Sequence, residues 1–506
     1  MILQNINQQK KIINFIPIIG ILFVGLLIRI YYLPYELPLL VDSLSYFTYA
    51  TEIVFLGDLP TVGVPANNGW PMFLSFWFSI INLDNTIQYM QLQKIISLSL
   101  SSLTVIPIFF LCKKFFNDKL ALVGAALFIF DPRIILNSLL GITEPIFIFL
   151  TTISLVLFLT YKREGIVLSF ILVSFSTIIR SEGIFLFFIF IILFFIRYKI
   201  SNKIFKILLP SIVIFILILI PVMDYRIDTT GTDSIFLRVV QGTSQTASIV
   251  SEDGITKAFE GLKLFTSYLG WIMIPSFIIF LPFGVIQFLR KRNKEGNFII
   301  IFLVVSSIPI LYAYFVQAQD TRYLYVLYPI FCLLSLFAVE SYISKIKRKN
   351  IIIIFIILGV LSSSIIFYEF KNSDYEKEKE LYEIGKIASK IVSGVNTHPT
   401  ESRYISAAQI PNEWPFAFHD DMYQIKRVST INAESLQNYI LNSKNELSHI
   451  LIDNDPNLPE FLKDINKNEE DYPYLKKVFD SKDEGFTHQV KIFEIDYNKF
   501  DSLNLK

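Results

Sequence analysis

Residues 12–31 read IINFIPIIGILFVGLLIRIY, and shortly afterwards the chain continues Val41-Asp42-Ser43-Leu44-Ser45-Tyr46. A helix of about 20 apolar residues can cross the hydrocarbon layer of a bilayer, so this stretch predicts a membrane-spanning helix that ends just before an acidic residue. Ten similar apolar runs follow along the chain. The sequence therefore predicts about eleven spans, near residues 12–31, 91–112, 120–138, 142–160, 165–179, 183–197, 205–223, 268–289, 298–316, 323–343 and 351–369.

Two of these runs, 165–179 and 183–197, are short, and two interpretations stay open for them. They could be separate crossings, or they could merge into one tilted element. Two long connections, about 32–90 and 224–266, separate the spans on one side of the membrane. A function that needs polar groups is expected in these long loops, because the connections on the other side are short.

The composition divides the chain at about residue 370. Over all 506 residues, 53% are apolar and only 18% are charged, against roughly 25% charged residues in soluble proteins. Residues 371–506 hold 17 Lys and Arg and 24 Asp and Glu, whereas residues 1–370 hold 28 and 20. We therefore predict a membrane domain over 1–370 and a soluble domain over 371–506. The net charge of +1 is a cancellation and indicates no nucleic-acid partner.

The distribution of basic residues orients the predicted spans. With the N-terminus inside, the inner loops receive 19 of the 28 Lys and Arg residues of the membrane domain, as the positive-inside rule requires. Sixteen of its 20 acidic residues fall on the outer side. The sequence thus predicts a multi-pass protein of the cell membrane, with a cytoplasmic N-terminus and an extracytoplasmic C-terminal domain.

The C-terminal domain has the pattern of a small α/β fold. Residues 371–390 are charged and helical in pattern, with opposite charges four residues apart. Strand-like runs at 403–406, 449–453 and 490–495 alternate with helical stretches at 433–443 and 458–466. The predicted fold class is an α-helical polytopic membrane protein with a small extracytoplasmic α/β domain.

The first outer loop places Asp42 directly after the first span. A carboxylate held at a fixed depth beside the membrane suits a general base that faces a lipid-borne substrate. The residues that follow, 43–56, have the pattern of a short helix lying along the interface. The alternative for Asp42 is a helix N-cap, because Asp favours that position, and the two roles are compatible.

Three further outer positions carry charge close to the membrane. Glu144 lies in Thr143-Glu144-Pro145, which has the pattern of a helix start, where a first-turn Glu is the alternative to a functional one. Arg180 and Arg322 lie in short turns, and the planar guanidinium matches phosphate oxygens. Snorkelling to lipid head groups is the alternative for both arginines.

The membrane domain contains none of the four His residues. Acid–base chemistry there is therefore expected to use carboxylates, Lys, Tyr or water. Cys112 and Cys332 lie in or at the end of apolar runs and are predicted as core residues, with no metal site. No glycine-rich phosphate loop occurs.

Several short motifs occur in order between about residues 12 and 340. They are Asp42 with Tyr46, Gly57 to Pro60, Gly69-Trp70-Pro71, Gln93 to Ser97, Lys113 to Phe116, Asp131-Pro132, Thr143-Glu144-Pro145, Arg180 to Gly183, and Arg322-Tyr323-Leu324 with Pro329. This combination resembles the GT-C superfamily of membrane glycosyltransferases. It is similar in particular to the group of dolichyl-phosphate-mannose–protein mannosyltransferases and aminoarabinose-transferase-like enzymes.

The resemblance implies transfer of one sugar from a polyprenyl (dolichyl) phosphate donor to a protein, glycan or lipid acceptor on the extracytoplasmic face. In this family the early Asp of the first outer loop is the catalytic base, which corresponds to Asp42, and direct attack inverts the anomeric centre. Many members carry an Asp-Glu pair, but Ser43 follows Asp42 here. Glu144 and Asp58 are the candidates for the second acid.

The resemblance also implies a set of binding residues, and nothing in the sequence requires a cofactor. The soluble domain lacks the Trp-Trp-Asp run of oligosaccharyltransferases, which argues against transfer of a whole oligosaccharide and against an obligatory divalent metal. The implied donor-phosphate ligands are Arg322 and Arg180, with Lys94 and Arg133 as further candidates, and the implied acceptor-side loop residues are Tyr46 and Trp70.

A transporter or flippase of lipid-linked sugars is the main alternative. Transporters bind their substrates near the bilayer midplane, often with buried charge, whereas the charges here crowd one face. A ligase that acts on long glycans and a non-catalytic anchor are further alternatives, although an anchor would not require eleven spans.

Overall fold

The structure is a computed structural model of the whole chain. It describes every residue except 1, 40, 62, 66, 161, 200–201, 232–255, 292–293, 317, 394–434, 444–446, 455–457 and 505–506. The contacts divide the chain into two compact units. The membrane unit comprises Met1–Leu33 and Asp42–Glu369, and the second unit comprises Pro34–Val41 and Phe370–Lys506.

Helices make up the membrane unit throughout its described residues. Many of these helices are connected by turns of only a few residues, so that polar groups between spans are confined to helix ends. In chain order they are α1 (Ile2–Tyr31), α2 (Val41–Leu56), α3 (Gly69–Ile80), α4 (Thr86–Leu103), α5 (Val105–Lys113), α6 (Asp118–Ile129), α7 (Pro132–Leu139), α8 (Glu144–Phe158), α9 (Arg163–Ile179), α10 (Gly183–Tyr198), α11 (Leu209–Thr230), α12 (256–273), α13 (Phe280–Arg290), α14 (Lys294–Phe315), α15 (Tyr328–Ile343) and α16 (Lys349–Ser393). The residues of α16 from Phe370 onward belong to the second unit.

The described residues contain five helical stretches long and apolar enough to cross a membrane, and the bent pair α6–α7 would make a sixth. The protein thus has the helices of a multi-pass membrane protein, as predicted. The number of spans stays a prediction, because several of the apolar helices are shorter than 18 residues. The five stretches are Thr86–Lys113, Ile204–Thr230, Glu295–Phe315, Thr321–Ile343 and Lys349–Ala388.

Two predicted elements differ in detail from the structure, and a third question, left open above, is resolved. The run at 120–138 is bent by 51° between α6 and α7, because Asp131 leaves the helix and caps α7 through the backbone N–H groups of Arg133 and Ile134. The run at 268–289 is not one helix, since a turn at 274–279 separates α12 from α13. The short runs at 165–179 and 183–197 are two separate helices, α9 and α10.

Of the two long loops, the first is largely helical. It contains α2 and α3, and α2 confirms the helix predicted over 43–56. In the second, α11 continues to Thr230 and α12 begins at 256, while 232–255 lie outside the described residues. Asn85 ends the first loop by capping α4, where its side chain accepts a hydrogen bond of 2.9 Å from Gln88 N.

The apolar faces of the spans form one continuous core. Both cysteines are fully buried in it, as predicted, and neither forms a disulfide. Helices α13 and α15 approach closely at Gly284, where an added Cβ would lie 2.1 Å from the carbonyl oxygen of Leu334. Small residues allow such backbone contact between membrane helices.

The second unit is a small α/β domain, as predicted. Its described strands are β1 (His449–Asp453), β2 (Leu475–Asp480) and β3 (Val490–Ile495), which form an antiparallel sheet in the order β1-β3-β2. Helices α17 (Leu436–Asn442), α18 (Glu460–Lys467) and α19 (Tyr497–Asn504) accompany the sheet. The predicted strand at 403–406 lies outside the described residues, and β2 was not predicted because two exposed lysines interrupt its apolar pattern.

Gly284→Ala is expected to lower the melting temperature of the full-length protein in detergent. The added methyl group meets backbone atoms of α15, and overpacking costs about 1–3 kcal/mol. Gly270→Ala in α12 is the matched control, because nothing lies within 4 Å of its added Cβ and a helical Gly-to-Ala change stabilises by about 1 kcal/mol. Equal melting temperatures for the two variants would contradict the close contact.

Candidate active site

A buried ion pair joins the start of α8 to the end of α9. Glu144 is in the first turn of α8, as predicted, and Arg180 follows the last residue of α9. One guanidinium nitrogen of Arg180 lies 2.5 Å from a Glu144 carboxylate oxygen, and the other lies 2.8 Å from Glu182. The Glu144 and Arg180 side chains are 8% and 11% exposed. Breaking such a pair would leave an uncompensated buried charge.

A second ion pair joins the start of α2 to the turn before α15. Arg322 lies in a 3-10 helix, Thr321–Leu327, that is capped by Asp320. Its guanidinium lies 2.5 Å from Asp320 and 3.3 Å from Asp42. The Asp42 side chain is 54% exposed, so this contact is the more open and the longer of the two. Asp42 lies in the first turn of α2, which is consistent with a helix-start role as well as a functional one.

Arg180 and Arg322 both line one cavity of about 660 Å³. Glu144, Glu182 and these two arginines are its charged lining residues, and apolar side chains from α8, α10 and α14 form most of the remaining surface, among them Phe147. A mainly apolar cavity with a few convergent polar groups is the usual form of a small-molecule site. The cavity therefore combines two arginines and two glutamates with a mainly apolar remaining lining.

Tyr46 lies near these charged groups. Burial raises the pKa of its phenol above the usual value, while a hydrogen bond with Asn67 acts in the opposite direction and the charges of Arg180, Glu144 and Asp42 act on it as well. A phenol is protonated at neutral pH with or without this shift, because its ordinary pKa is about 10. Tyr46 therefore has an O–H group near the acidic side chains.

Gln93 holds the backbone beside both acids, and the sequence analysis assigned it no role. Its side-chain amide donates to the carbonyl oxygens of Ser43, at 2.9 Å, and Gly141, at 2.7 Å. Trp70, which is fully buried, donates to the same Gly141 carbonyl at 3.1 Å. Trp70 thus stabilises the loop that precedes Glu144. The one sequence feature that indicated this contact is that Gln93 is a polar residue within the predicted span 91–112.

Close backbone contact also fixes the position of Arg180. A Cβ added to Gly69 would lie 2.7 Å from the backbone carbonyl of Ile178, two residues before Arg180. A Cβ at Gly183 would lie 2.6 Å from Thr177 N. These two glycines allow the start of α3 and the start of α10 to pack against the end of α9.

The other predicted site residues lie apart from the cavity lining. Asp58 is exposed and accepts a hydrogen bond from Leu59 N. Lys94 is buried on α4. Arg133 lies over the rings of Trp271 and Phe367, at 4.9 and 5.8 Å from their centroids. None of these three residues lines the cavity. Glu144, Arg180 and Arg322 do line it, and Asp42, which is not a lining residue, is joined to them by its contact with Arg322.

Comparison with known proteins gives structural matches only. No protein-family model matches the chain, and no curated protein matches its sequence. Among solved structures, the oligosaccharyltransferase of Archaeoglobus fulgidus, solved with Zn and sulfate, matches with a TM-score of 0.57 at 11% identity. The match covers 86% of this chain and 68% of that chain. The same enzyme, AglB, with an inhibitory peptide and a dolichol-phosphate, matches with a TM-score of 0.56 at 11% identity, over 86% and 69% of the two chains.

The described residues do not fit a metal centre. They contain no group of three or more His, Cys, Asp or Glu side chains that could hold an ion. Asp42 and Glu144 are instead each engaged by an arginine.

A second kind of structure matches over nearly its full length. ArnT from Cupriavidus metallidurans, bound to undecaprenyl phosphate, has a TM-score of 0.53 at 9% identity, and the match covers 94% of this chain and 97% of that chain. These similarities confirm the predicted architecture. The chain has the fold of the GT-C membrane glycosyltransferases.

Proposed function

We propose that this protein is a membrane glycosyltransferase that moves a single sugar from a polyprenyl-phosphate donor to an acceptor hydroxyl on the extracytoplasmic face. The observation that carries the proposal is the cavity of about 660 Å³, mainly apolar and lined by two arginines, with Asp42 3.3 Å from one of them. Neighbours of the same fold bind dolichol-phosphate and undecaprenyl phosphate, and this supports the choice of donor.

The cavity matches the two chemical parts of such a donor. An isoprenoid chain is apolar and would be buried against the apolar side chains of α8, α10 and α14. A phosphate group would be held by the guanidinium groups of Arg180 and Arg322, because a planar guanidinium donates two parallel hydrogen bonds to phosphate oxygens.

The four acids around the two arginines limit how a phosphate can bind. Arg180 is already paired with Glu144 and Glu182 inside a largely buried site, whereas the contact between Arg322 and Asp42 is longer and more exposed. The donor phosphate therefore replaces Asp42 at Arg322. Donor binding then frees the carboxylate of Asp42 from its contact with Arg322, so that it can face the acceptor hydroxyl.

The proposed transfer needs no reactant other than the donor and the acceptor. Asp42 accepts the proton of the acceptor hydroxyl while the hydroxyl oxygen forms a bond to the anomeric carbon of the sugar. The bond from that carbon to the phosphate oxygen breaks, and polyprenyl phosphate leaves with the electron pair. Arg322 and Arg180 stabilise the charge that develops on the leaving phosphate. A single direct displacement inverts the anomeric centre.

Glu144 is the second acid in this proposal, and Asp58 is not used. Glu144 lines the cavity and fixes the guanidinium of Arg180, so its carboxylate orients a donor ligand. Asp58 lies outside the cavity lining and caps its own loop.

Asp42→Asn is expected to reduce turnover at least 100-fold, because general-base catalysis contributes about 10²–10⁴-fold. The assay measures release of polyprenyl phosphate by the purified protein from a panel of polyprenyl-phosphate sugars with candidate acceptors. Asp84→Asn, an exposed acid of the same loop, is the control. Full turnover of Asp42→Asn would refute the base assignment, and movement of the donor across vesicles without release of polyprenyl phosphate would favour a transporter.

Arg322→Ala is expected to raise the donor KM about tenfold or more, since a hydrogen bond to a charged group contributes about 1.5–3 kcal/mol. Arg322→Lys keeps the positive charge but loses the planar guanidinium, so its donor KM should lie between those of the wild type and Arg322→Ala. Lys263→Ala removes an exposed cation of α12 and serves as the control. A donor KM that does not change in Arg322→Ala would exclude this arginine from phosphate binding.

Gln93→Leu is expected to lower kcat about 100-fold and to change the donor KM little. The variant removes the donor that holds the backbone beside Asp42, and a displacement of 1 Å can cost that factor. Ser99→Ala removes a hydroxyl that donates within α4 to Ile95 O and is the control. A fall in kcat that is matched by an equal fall in the fraction of folded protein would indicate general loss of structure and not misplacement of the base.

A further inference from the structure

A second cavity, here called the polar groove, lies along α2 and has a volume of about 490 Å³. The α2 wall consists of Ser45, Thr48, Tyr49, Glu52 and Leu56, and the wall formed by the following loop consists of Pro60, Thr61 and Gly63. Nothing in the proposed donor site uses these residues.

The polar groove begins within one helical turn of the proposed base. Residues three or four apart on a helix are neighbours on its surface, about 5–6 Å apart, and Ser45 is three residues after Asp42. Asp42, Ser45, Tyr49 and Glu52 follow one another along one side of α2. A ligand in the polar groove therefore extends toward the carboxylate of Asp42, on the helix whose first turn also contacts Arg322.

The loop wall is held in place from α11. Tyr225 of α11 donates a hydrogen bond from its hydroxyl to the carbonyl of Pro60, and its hydroxyl also bonds to the hydroxyl of Tyr49. A phenol has one proton to donate, so Tyr49 is the donor in the second bond. Arg226, the next residue, donates to Pro65 O and Asn68 Oδ1, each at 3.1 Å. Two successive residues of one helix thus fix the outer loop that forms this wall.

The lining chemistry differs from that of the donor cavity. Among the described lining residues, Glu52 is the only charged one, and none is Lys or Arg. The lining offers hydroxyls, which donate and accept, and a carboxylate, which accepts. This set matches a ligand rich in hydroxyl groups. It disfavours an anionic ligand, which would contact the carboxylate of Glu52 and no Lys or Arg among the described lining residues.

An extended peptide fits the polar groove less well. Peptides bound in extended form add to the edge of a sheet through main-chain hydrogen bonds. Here one wall is a helix, whose backbone groups are bonded internally, and the other is a loop. A ligand with many hydroxyl groups along its length can form hydrogen bonds with the side chains of these walls.

We propose that the polar groove binds the acceptor and that this acceptor is an uncharged saccharide. The inference rests on the proposed glycosyl transfer, because it assigns the hydroxyl that Asp42 deprotonates to the saccharide end nearest Ser45. Glu52 and Thr48 hold the saccharide through its other hydroxyls. The two substrates then reach the base by different routes, the donor through Arg322 and the acceptor along α2.

The test measures binding to the full-length protein in nanodiscs, without turnover. Mannotriose, maltotriose and chitotriose are the uncharged probes, trigalacturonic acid is the anionic probe, and a Ser- and Thr-containing peptide is the peptide probe. The variants are Glu52→Lys and Thr48→Val, with Asp84→Lys as the matched control, an exposed acid of the same loop outside the polar groove. Stabilisation by dolichyl phosphate is measured on the same samples.

The expected result is that at least one uncharged saccharide binds to wild type and to Asp84→Lys. Its affinity falls at least tenfold in Glu52→Lys and several-fold in Thr48→Val, while stabilisation by dolichyl phosphate is unchanged in all variants. Failure of every uncharged saccharide to bind wild type, or wild-type affinity in both groove variants, would overturn the inference. Peptide binding that is lost in Glu52→Lys would overturn the saccharide class. Absence of dolichyl-phosphate binding would count against the proposed donor alone.

Discussion

The structure depends on one constraint, which is that backbone polar groups inside hydrocarbon must be bonded within the protein. A chain with this composition satisfies the constraint by forming helices. Charged side chains are then energetically tolerated only where helices begin, end or break. The charged groups of the candidate site occupy such places. Glu144 starts α8, Arg180 follows α9, Asp42 is in the first turn of α2 and Arg322 lies in the turn before α15.

Two ion pairs turn these separate ends into one site. The pair of Glu144 and Arg180 is buried and tight, and the pair of Asp42 and Arg322 is longer and more exposed. This difference gives the two arginines different parts in the proposed reaction. Arg180 is a fixed element of the cavity, whereas Arg322 can exchange a carboxylate for a phosphate. The same exchange would couple arrival of the donor to release of the base.

The sequence predicted most of the charged residues of this site but missed a supporting residue, and both results have a physical reason. Asp42, Glu144, Arg180 and Arg322 were identified because charge beside an apolar run is rare and costly. Lys94 and Arg133 met the same criterion, yet Lys94 is buried on α4 and Arg133 lies over two aromatic rings. The energetic cost of a charge beside an apolar run therefore indicates that the residue is important. It does not indicate whether that residue binds a ligand or stabilises a helix contact. Gln93 was given no role, because an uncharged amide in a span carries a weaker signal.

The sequence by itself determined the helical membrane class, the separate α/β domain and the short list of charged outer residues. Hydrophobic length and charge distribution are local properties, and they need no knowledge of which helices are neighbours. Only the tertiary structure decided that Asp42 meets Arg322, 280 residues away, and that Gln93 joins the backbones beside Asp42 and Glu144. Contacts between distant residues need close helix packing, as at Gly69, where the missing side chain lets α3 approach the end of α9 just before Arg180.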